Sequence, residues 1–274
     1  MMQRLLLATA AVCALGIGSA SAADLAARPY TKAPAVPFVS PVYDWSGFYV
    51  GGHVGGGWAD QRQTVLDDGF GGLGLAGSGL FPNGSTFNRN HPSGVLGGVQ
   101  GGFNWQFNNI VLGVEGEYTW SGMKTTSRTL DPVFPTVDIR SSDRIDEIAT
   151  VTGRVGYAFN NWLLYGKGGW AWARGGSQGI VSDSNFGNQP YAGFNSSSEG
   201  DGWVAGAGVE WGFAPNWSAK VEYEHIDLGS KAVQANVVPT WNLPARFDTS
   251  TRIDTVKAGV NYRFNWGGPS ASHY

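Results

Sequence analysis

Thiol chemistry is almost missing from this chain. The one cysteine, Cys13, lies in an apolar run near the N-terminus, and the Ala11-Val12 before it does not make a lipoprotein cleavage site. Once that run is removed as an export signal no thiol is left, which excludes a disulfide scaffold, a thiolate metal site and a cysteine nucleophile. Charge is scarce too, at 14% of residues against about 25% in an average globular domain. A net charge of −3 with no Lys/Arg cluster excludes nucleic acid as a partner. Beyond the signal, no apolar run reaches the roughly 18 residues that a membrane-spanning helix needs. An exported chain of this kind is either soluble or a barrel.

What the chain has in quantity is glycine, 42 residues, and aromatic rings, 13% of the total. Residues 1–22 have the form of a secretory signal: Arg4, an apolar run from Leu5 to Ile17, then Ala20-Ser21-Ala22. Residues 23–44 carry Pro29, Pro34, Pro37 and Pro41 without a period, which reads as an extended periplasmic leader.

Residues 45–264 alternate. Ile110, Leu112, Val114, Gly116, Tyr118 and Trp120 share one face, while Gly113, Glu115, Glu117 and Thr119 share the other with Val111. Successive side chains of a strand point to opposite faces, so this segment is oily on one side and charged on the other. Seven further stretches repeat the pattern, at about 46–58, 94–107, 150–159, 162–172, 203–213, 217–224 and 256–264. Short turns, Asn108-Asn109, Asn160-Asn161 and Ala214-Pro215-Asn216, alternate with long segments at 59–92, 121–143, 174–201 and 229–251. Bacterial outer-membrane barrels have an even strand number, short periplasmic turns and longer external loops. The spacing therefore predicts an all-β fold: an eight-stranded antiparallel transmembrane β-barrel with up-and-down meander topology, followed by a C-terminal extension, 265–274.

The aromatic rings cluster where an interface would hold them. Trp45, Trp105, Trp162, Trp211, Trp217 and Phe264 lie near the short turns or the barrel's ends, and Trp58, Trp120, Trp170, Trp172 and Trp203 near the long segments. Two such girdles around an aliphatic band mark the two headgroup layers. A soluble barrel would carry its apolar residues inside.

The opposite face gathers Glu115, Glu117, Glu210, Glu222 and Glu224 with Arg154, Lys167, Lys220, Lys257 and Arg263. An eight-stranded barrel is just wide enough for side chains to fill it, and buried charges survive by pairing. The expected arrangement is a neutralised plug; a narrow conduit whose charges exchange partners is the alternative. Glycines such as Gly51-Gly52 and Gly55-Gly56-Gly57 are not a phosphate loop, because no helix and no Lys-Ser/Thr ending follows. Glycine instead relieves crowding in a curved wall. The four histidines, His53, His91, His225 and His273, show no metal-ligand spacing. His91-Pro92-Ser93 is similar to the His-x-Ser of lipid A deacylases, but no acid is placed to orient the histidine. Neither an enzyme, a metal nor a cofactor is expected. The long segments carry aromatics such as Phe70, Phe81, Phe186, Tyr191, Phe194 and Trp241, suited to recognition or to plain solvated surface.

Three motifs resemble a known family: Trp45-Ser46-Gly47-Phe48-Tyr49-Val50-Gly51-Gly52 after the proline-rich leader, Tyr165-Gly166-Lys167-Gly168-Gly169-Trp170-Ala171, and Val256-Lys257-Ala258-Gly259-Val260-Asn261-Tyr262-Arg263-Phe264. They are similar to small alpha-proteobacterial outer-membrane barrels, the porin-family or outer-membrane immunogenic proteins of opacity-like form. The resemblance implies an integral outer-membrane location and a structural or surface-antigen role, with passive diffusion of small solutes, or ligand and host-surface binding that includes haem, as alternatives. Barrels of that class often stop at a terminal Phe; here ten residues follow Phe264. The partners expected are outer-membrane lipid and lipopolysaccharide, the barrel-assembly machinery during biogenesis, and peptidoglycan within reach of the leader, with the chain itself a monomer.

Overall fold

The computed structural model describes residues 43–67, 83–84, 86–130, 137–183, 187, 189–238 and 243–264. The signal, the leader up to residue 42, the C-terminal extension, and Phe70, Phe81, Phe186 and Trp241 of the long segments lie outside the described residues.

Among the described residues, nine strands make one antiparallel sheet. They are β1 (Gly47–Asp67), β2 (Thr86–Asn90), β3 (Ser93–Phe107), β4 (Ile110–Leu130) and β5 (Val137–Phe159), then β6 (Trp162–Asp183), β7 (Gln189–Ala214), β8 (Trp217–Val238) and β9 (Leu243–Phe264). The sheet closes on itself because β1 pairs with β9 from Phe48↔Phe264 up to Asp67↔Arg246. β2 and β3 pair successive stretches of β1, so the two are one stave broken at His91-Pro92. Proline has no N–H to give the ladder, yet the Pro92 carbonyl still accepts the N–H of Ala59 at 2.8 Å. Eight staves thus surround the lumen, in the predicted order.

The three short turns share one device. Asn108 and Asn160 take positive φ, 54° and 53°, a conformation that asparagine tolerates better than most residues. The last asparagine of each turn then clamps the neighbouring hairpin. Asn109 Nδ2 donates to the Ala158 carbonyl at 2.8 Å, Asn161 Nδ2 to Gly212 at 3.0 Å, and Asn216 Nδ2 to Arg263 at 2.7 Å. The carbonyls of the same asparagines accept the N–H of those same three residues at 2.7–2.8 Å.

The wall shows the expected two-sidedness. Val50, Val54, Val95, Val99, Leu112, Val114, Val151, Val155, Leu164 and Val221 are exposed on the outside. Above and below this band stand rings, among them Trp58, Trp120, Trp170 and Trp203 at one level and Trp105, Trp162, Trp211, Trp217 and Phe264 at the other. Trp172 is half-buried beside them. Trp162 and Trp211 are register partners, with ring centroids 5.9 Å apart.

Two expectations are corrected. Trp45 does not belong to a girdle: it is only 1% exposed and packs with Val111, Ala158, Leu163 and Tyr165 inside the barrel mouth at the short-turn end. Gly47, at φ +119°, turns the chain at the first residue of β1. The Trp45 N–H donates to Gln106 Oε1 at 2.7 Å, and its ring lies 4.5 Å from that of Tyr43. The segments expected as external loops are the second correction, because the strands run on well past the outer girdle. β4 continues to Leu130 and β5 begins at Val137; β6 reaches Asp183 and β7 begins at Gln189. Runs such as Lys124–Thr129 are polar at successive positions, so the period-two signal vanishes while the backbone ladder persists.

Candidate functional site: the ion-pair layer of the lumen

The strand register brings the inward acids and bases to one level. Glu222 is paired with Lys257, Glu210 with Lys220, and Arg154 with Lys167. Opposite charges on facing positions of one sheet surface attract, as in the first two pairs. Arg154 and Lys167 carry the same sign and face each other only because the closed wall brings carboxylates of other staves within reach of both. Lys167 Nζ lies 3.1 Å from Glu115, 2.9 Å from Glu222, 2.5 Å from Glu224 and 3.3 Å from Glu117. Lys220 Nζ contacts Glu115 at 3.2 Å, Glu117 at 3.0 Å and Glu222 at 3.5 Å. Lys257 binds Glu117 closely and Glu224 at 2.6 Å, with Glu222 at 3.4 Å. None of these side chains exceeds 2% exposure.

Arg154 extends the cluster toward the short-turn end. Its guanidinium reaches Glu210 at 3.3 Å and Glu115 at 3.7 Å, and its Nε donates to Asn104 Oδ1 at 2.9 Å. It sits 4.7 Å from the ring centre of Tyr49 and 5.2 Å from that of Tyr165, a cation–π pairing that a desolvated site strengthens. The two hydroxyls hold carboxylates in turn: Tyr49 donates to Glu115 at 2.8 Å and Tyr165 to Glu222 at 2.7 Å. Both rings need bare backbone opposite them. A Cβ on Gly102 would lie 2.4 Å from the Tyr49 oxygen, and one on Gly208 would lie 2.5 Å from the Tyr165 oxygen.

Neutral polar groups finish the layer. Ser218 and Asn261 donate to Glu210 at 2.5 and 2.8 Å. Gln100 donates to Asn261 at 2.8 Å and, through its Oε1, lies 2.7 Å from Nδ1 of His53, whose Nε2 is 2.9 Å from Thr119 Oγ1. Glu115, Glu117 and Glu222 offer carboxylate oxygens within 4.8 Å of one another, a spacing that would suit a cation. Ammonium groups already fill that role, since Lys220 contacts all three and Lys167 does likewise.

Nine of the ten ionisable residues singled out in the sequence therefore meet in one network. Arg263 stands apart. It is buried at the short-turn mouth, donates to the Pro215 carbonyl at 2.9 Å, and lies 4.3 Å from the ring centre of Tyr43. Among the described residues it joins no ion pair, so five carboxylates face four cations.

Alternation alone did not reveal what lies above and below. Toward the outer girdle the lumen turns apolar: Leu96, Met123, Ile145, Ile148, Ile226 and Ile253 are 4% exposed or less and pack together with Ala59, Ala171 and Ala173. Met123, Ile226 and Ile253 are wholly buried. Toward the short turns, Trp45 and its neighbours close the other end. The signal was present in the register, since Ile226 follows Glu222 and Glu224 at the same parity. His91 and Ser93, the pair similar to a deacylase motif, are both exposed where β2 gives way to β3.

The chain matches the family model described as outer membrane protein beta-barrel domain over residues 10–264. It is 29% identical to the 31 kDa outer-membrane immunogenic protein of Brucella melitensis, over 93% of this chain and 98% of that one. It is 26% identical to the 22 kDa outer membrane protein of Rhizobium leguminosarum, over 82% of this chain and 81% of that one. Among solved structures, the outer membrane protein OprG from Pseudomonas aeruginosa aligns over 80% of this chain and 97% of its own, with 11% identity and a TM-score of 0.43.

Proposed function

Since the chain belongs to the outer membrane protein beta-barrel domain family and is an integral outer-membrane protein, we propose that it serves the envelope as a structural, non-conducting barrel that presents its strand extensions at the cell surface and performs no chemical step. The observation that carries this reading is the three-layered filling of the lumen. A buried ion-pair layer is capped on one side by Met123, Ile226 and Ile253 and on the other by Trp45, Val111 and Leu163. Water and ions have no polar route through an apolar layer packed like a protein interior, and each lysine of the ionic layer is held by at least three carboxylates.

In this reading the outer rings at Trp58, Trp120, Trp170, Trp172 and Trp203 and the inner ones at Trp105, Trp162, Trp211, Trp217 and Phe264 set the depth of the barrel in the bilayer. In the same reading lipopolysaccharide surrounds the outer girdle, assembly machinery inserts the chain, and peptidoglycan is the partner proposed for the proline-rich leader. Liposome swelling with sugars of graded size tests the proposal. Swelling no faster than in protein-free vesicles supports it; size-dependent uptake would replace it with a narrow porin.

A further inference from the structure

Above the outer girdle the cylinder is not closed. The ladders β4–β5, β5–β6 and β6–β7 continue as far as Leu130↔Asp138, Val137↔Asp183 and Asp183↔Gln189. So do β8–β9, up to Val238↔Leu243, and β9–β1, up to Asp67↔Arg246. Two ladders stop early: β3–β4 at Ser93↔Lys124 and β7–β8 at Trp203↔Asp227. The wall beyond the membrane is therefore two blades, β4–β5–β6–β7 and β8–β9–β1–β2, with a seam on either side.

The seams differ. The one between β2 and β4 is bridged from behind, where Asn90 of β2 donates to the buried carboxylate of Asp143 on β5. Between β7 and β8 the ladder stops, and the contacts seen among the described residues lie at the base of the seam. There Leu228 packs on Gly200, and Lys231 Nζ meets Asp201 at 2.5 Å. The break is written into the chain: Gly229 takes φ +65°, its N–H donates to the Asp227 carboxylate at 2.8 Å, and the β8–β9 register shifts between Asp227 and Ser230. A bulge of this kind bends a strand and ends pairing on one side.

A strand edge left in water offers a row of unpaired N–H and C=O groups, and proteins ordinarily blunt it with charge, proline or shortness. β7 is blunted along its free stretch by Pro190, Glu199 and Asp201. β8 is not: from Ala232 to Val238 it reads Ala-Val-Gln-Ala-Asn-Val-Val, with no charge, no proline and no glycine. Among the described residues nothing pairs with β8 there except β9.

We infer that the β8 edge from Ala232 to Val238 is a docking edge for an extended, uncharged segment of a partner polypeptide outside the cell, which joins the blade by main-chain pairing. Such strand addition draws affinity from backbone hydrogen bonds, and the edge has no charge with which to select a charged motif. A second copy fits less well. Two copies in one membrane point the same way, so their β8 edges could meet only as a parallel pair, the less stable arrangement. The inference rests on the proposed outward orientation of the extensions.

The test uses the full chain in lipid nanodiscs and, as probe, a soluble octapeptide of alternating Thr and Val flanked by lysines. Backbone amide exchange is followed by NMR. Binding should slow alternate amides within residues 232–238 by about tenfold or more and leave the β4–β5 blade unchanged. Gln234→Pro and Ala235→Pro remove N–H groups pointing to opposite sides of the strand, so one of the two should abolish the protection. Gel mobility with and without heating shows that the barrel itself stays folded in both. Alternate amides already slow without the peptide, protection that appears only as protein concentration rises, or protection elsewhere would each overturn the inference. Orientation is read separately, by protease cleavage of the extensions on intact cells, so an inward orientation would not be mistaken for a blocked edge.

Discussion

Lys220 Nζ lies 3.2 Å from Glu115 Oε2 and 3.3 Å from Glu115 Oε1, across the lumen from its own stave. The pair ties β8 to β4, strands that share no ladder. Removing one member of a buried pair strands the other charge, which costs about 3–5 kcal/mol. Lys220→Met should therefore lower the urea midpoint of the barrel in lipid by an amount equivalent to that loss. Arg263→Gln should cost less, on the order of 1.5–3 kcal/mol, because it removes one charged hydrogen bond and leaves no carboxylate unpaired.

The apolar cap makes a different prediction. Ile226 is wholly buried among Met123, Ile253 and their neighbours. Ile226→Ala should destabilise by about 2–5 kcal/mol through lost contacts and a residual cavity. Planar-bilayer conductance should nevertheless stay at background, because the ionic layer beneath the cap remains intact. Steady conductance in this variant would mean that the cap alone seals the lumen.

The turn clamps can be tested one at a time. Asn109→Ala removes the donor to the Ala158 carbonyl and leaves the backbone bond between the same residues in place. A loss of about 1 kcal/mol is expected in urea unfolding, with faster amide exchange confined to the periplasmic end of β4 and β5.

Asp143 gives the extension a pH dependence. Burial pushes its carboxyl above the ordinary aspartate value, against the hydrogen bonds from Ser177 and Asn90 that pull it down. A raised folded value means the protonated form is favoured in the native state. The stabilisation is fully present below the ordinary value of about 3.9 and is lost as pH rises through the raised one. Amide exchange in the extensions of β4 and β5, corrected for its intrinsic pH dependence, should be slower near pH 4 than near pH 7. Asp143→Asn should remove the difference.

The barrel was legible in the residues because lipid and a packed lumen impose opposite polarities on alternate positions, as from Ile110 to Trp120. Beyond Trp120 both faces meet polar surroundings. Thr125, Thr126 and Ser127 then carry no period, and a strand reads as a loop. Trp45 has the composition of a girdle residue; its place inside follows from the bend at Gly47, a backbone conformation that side-chain pattern does not encode. The ion-pair partners could be named by parity, but parity says nothing of depth, which is why Arg263 was grouped with residues it does not meet. The two blades depend on where ladders stop, a property of register rather than of composition.

The central claim is that lipid touches one face of each stave and packed side chains fill the other. Spin labels placed singly from Ile110 to Trp120, with Cys13→Ser as background, would test it through their collision rates with oxygen and with a water-soluble nickel chelate. The outward positions 110, 112, 114, 116, 118 and 120 should be open to oxygen, and Val111, Glu115, Glu117 and Thr119 should be shielded from both reagents. High nickel accessibility at Glu115 and Glu117, or no alternation at all, would contradict the account.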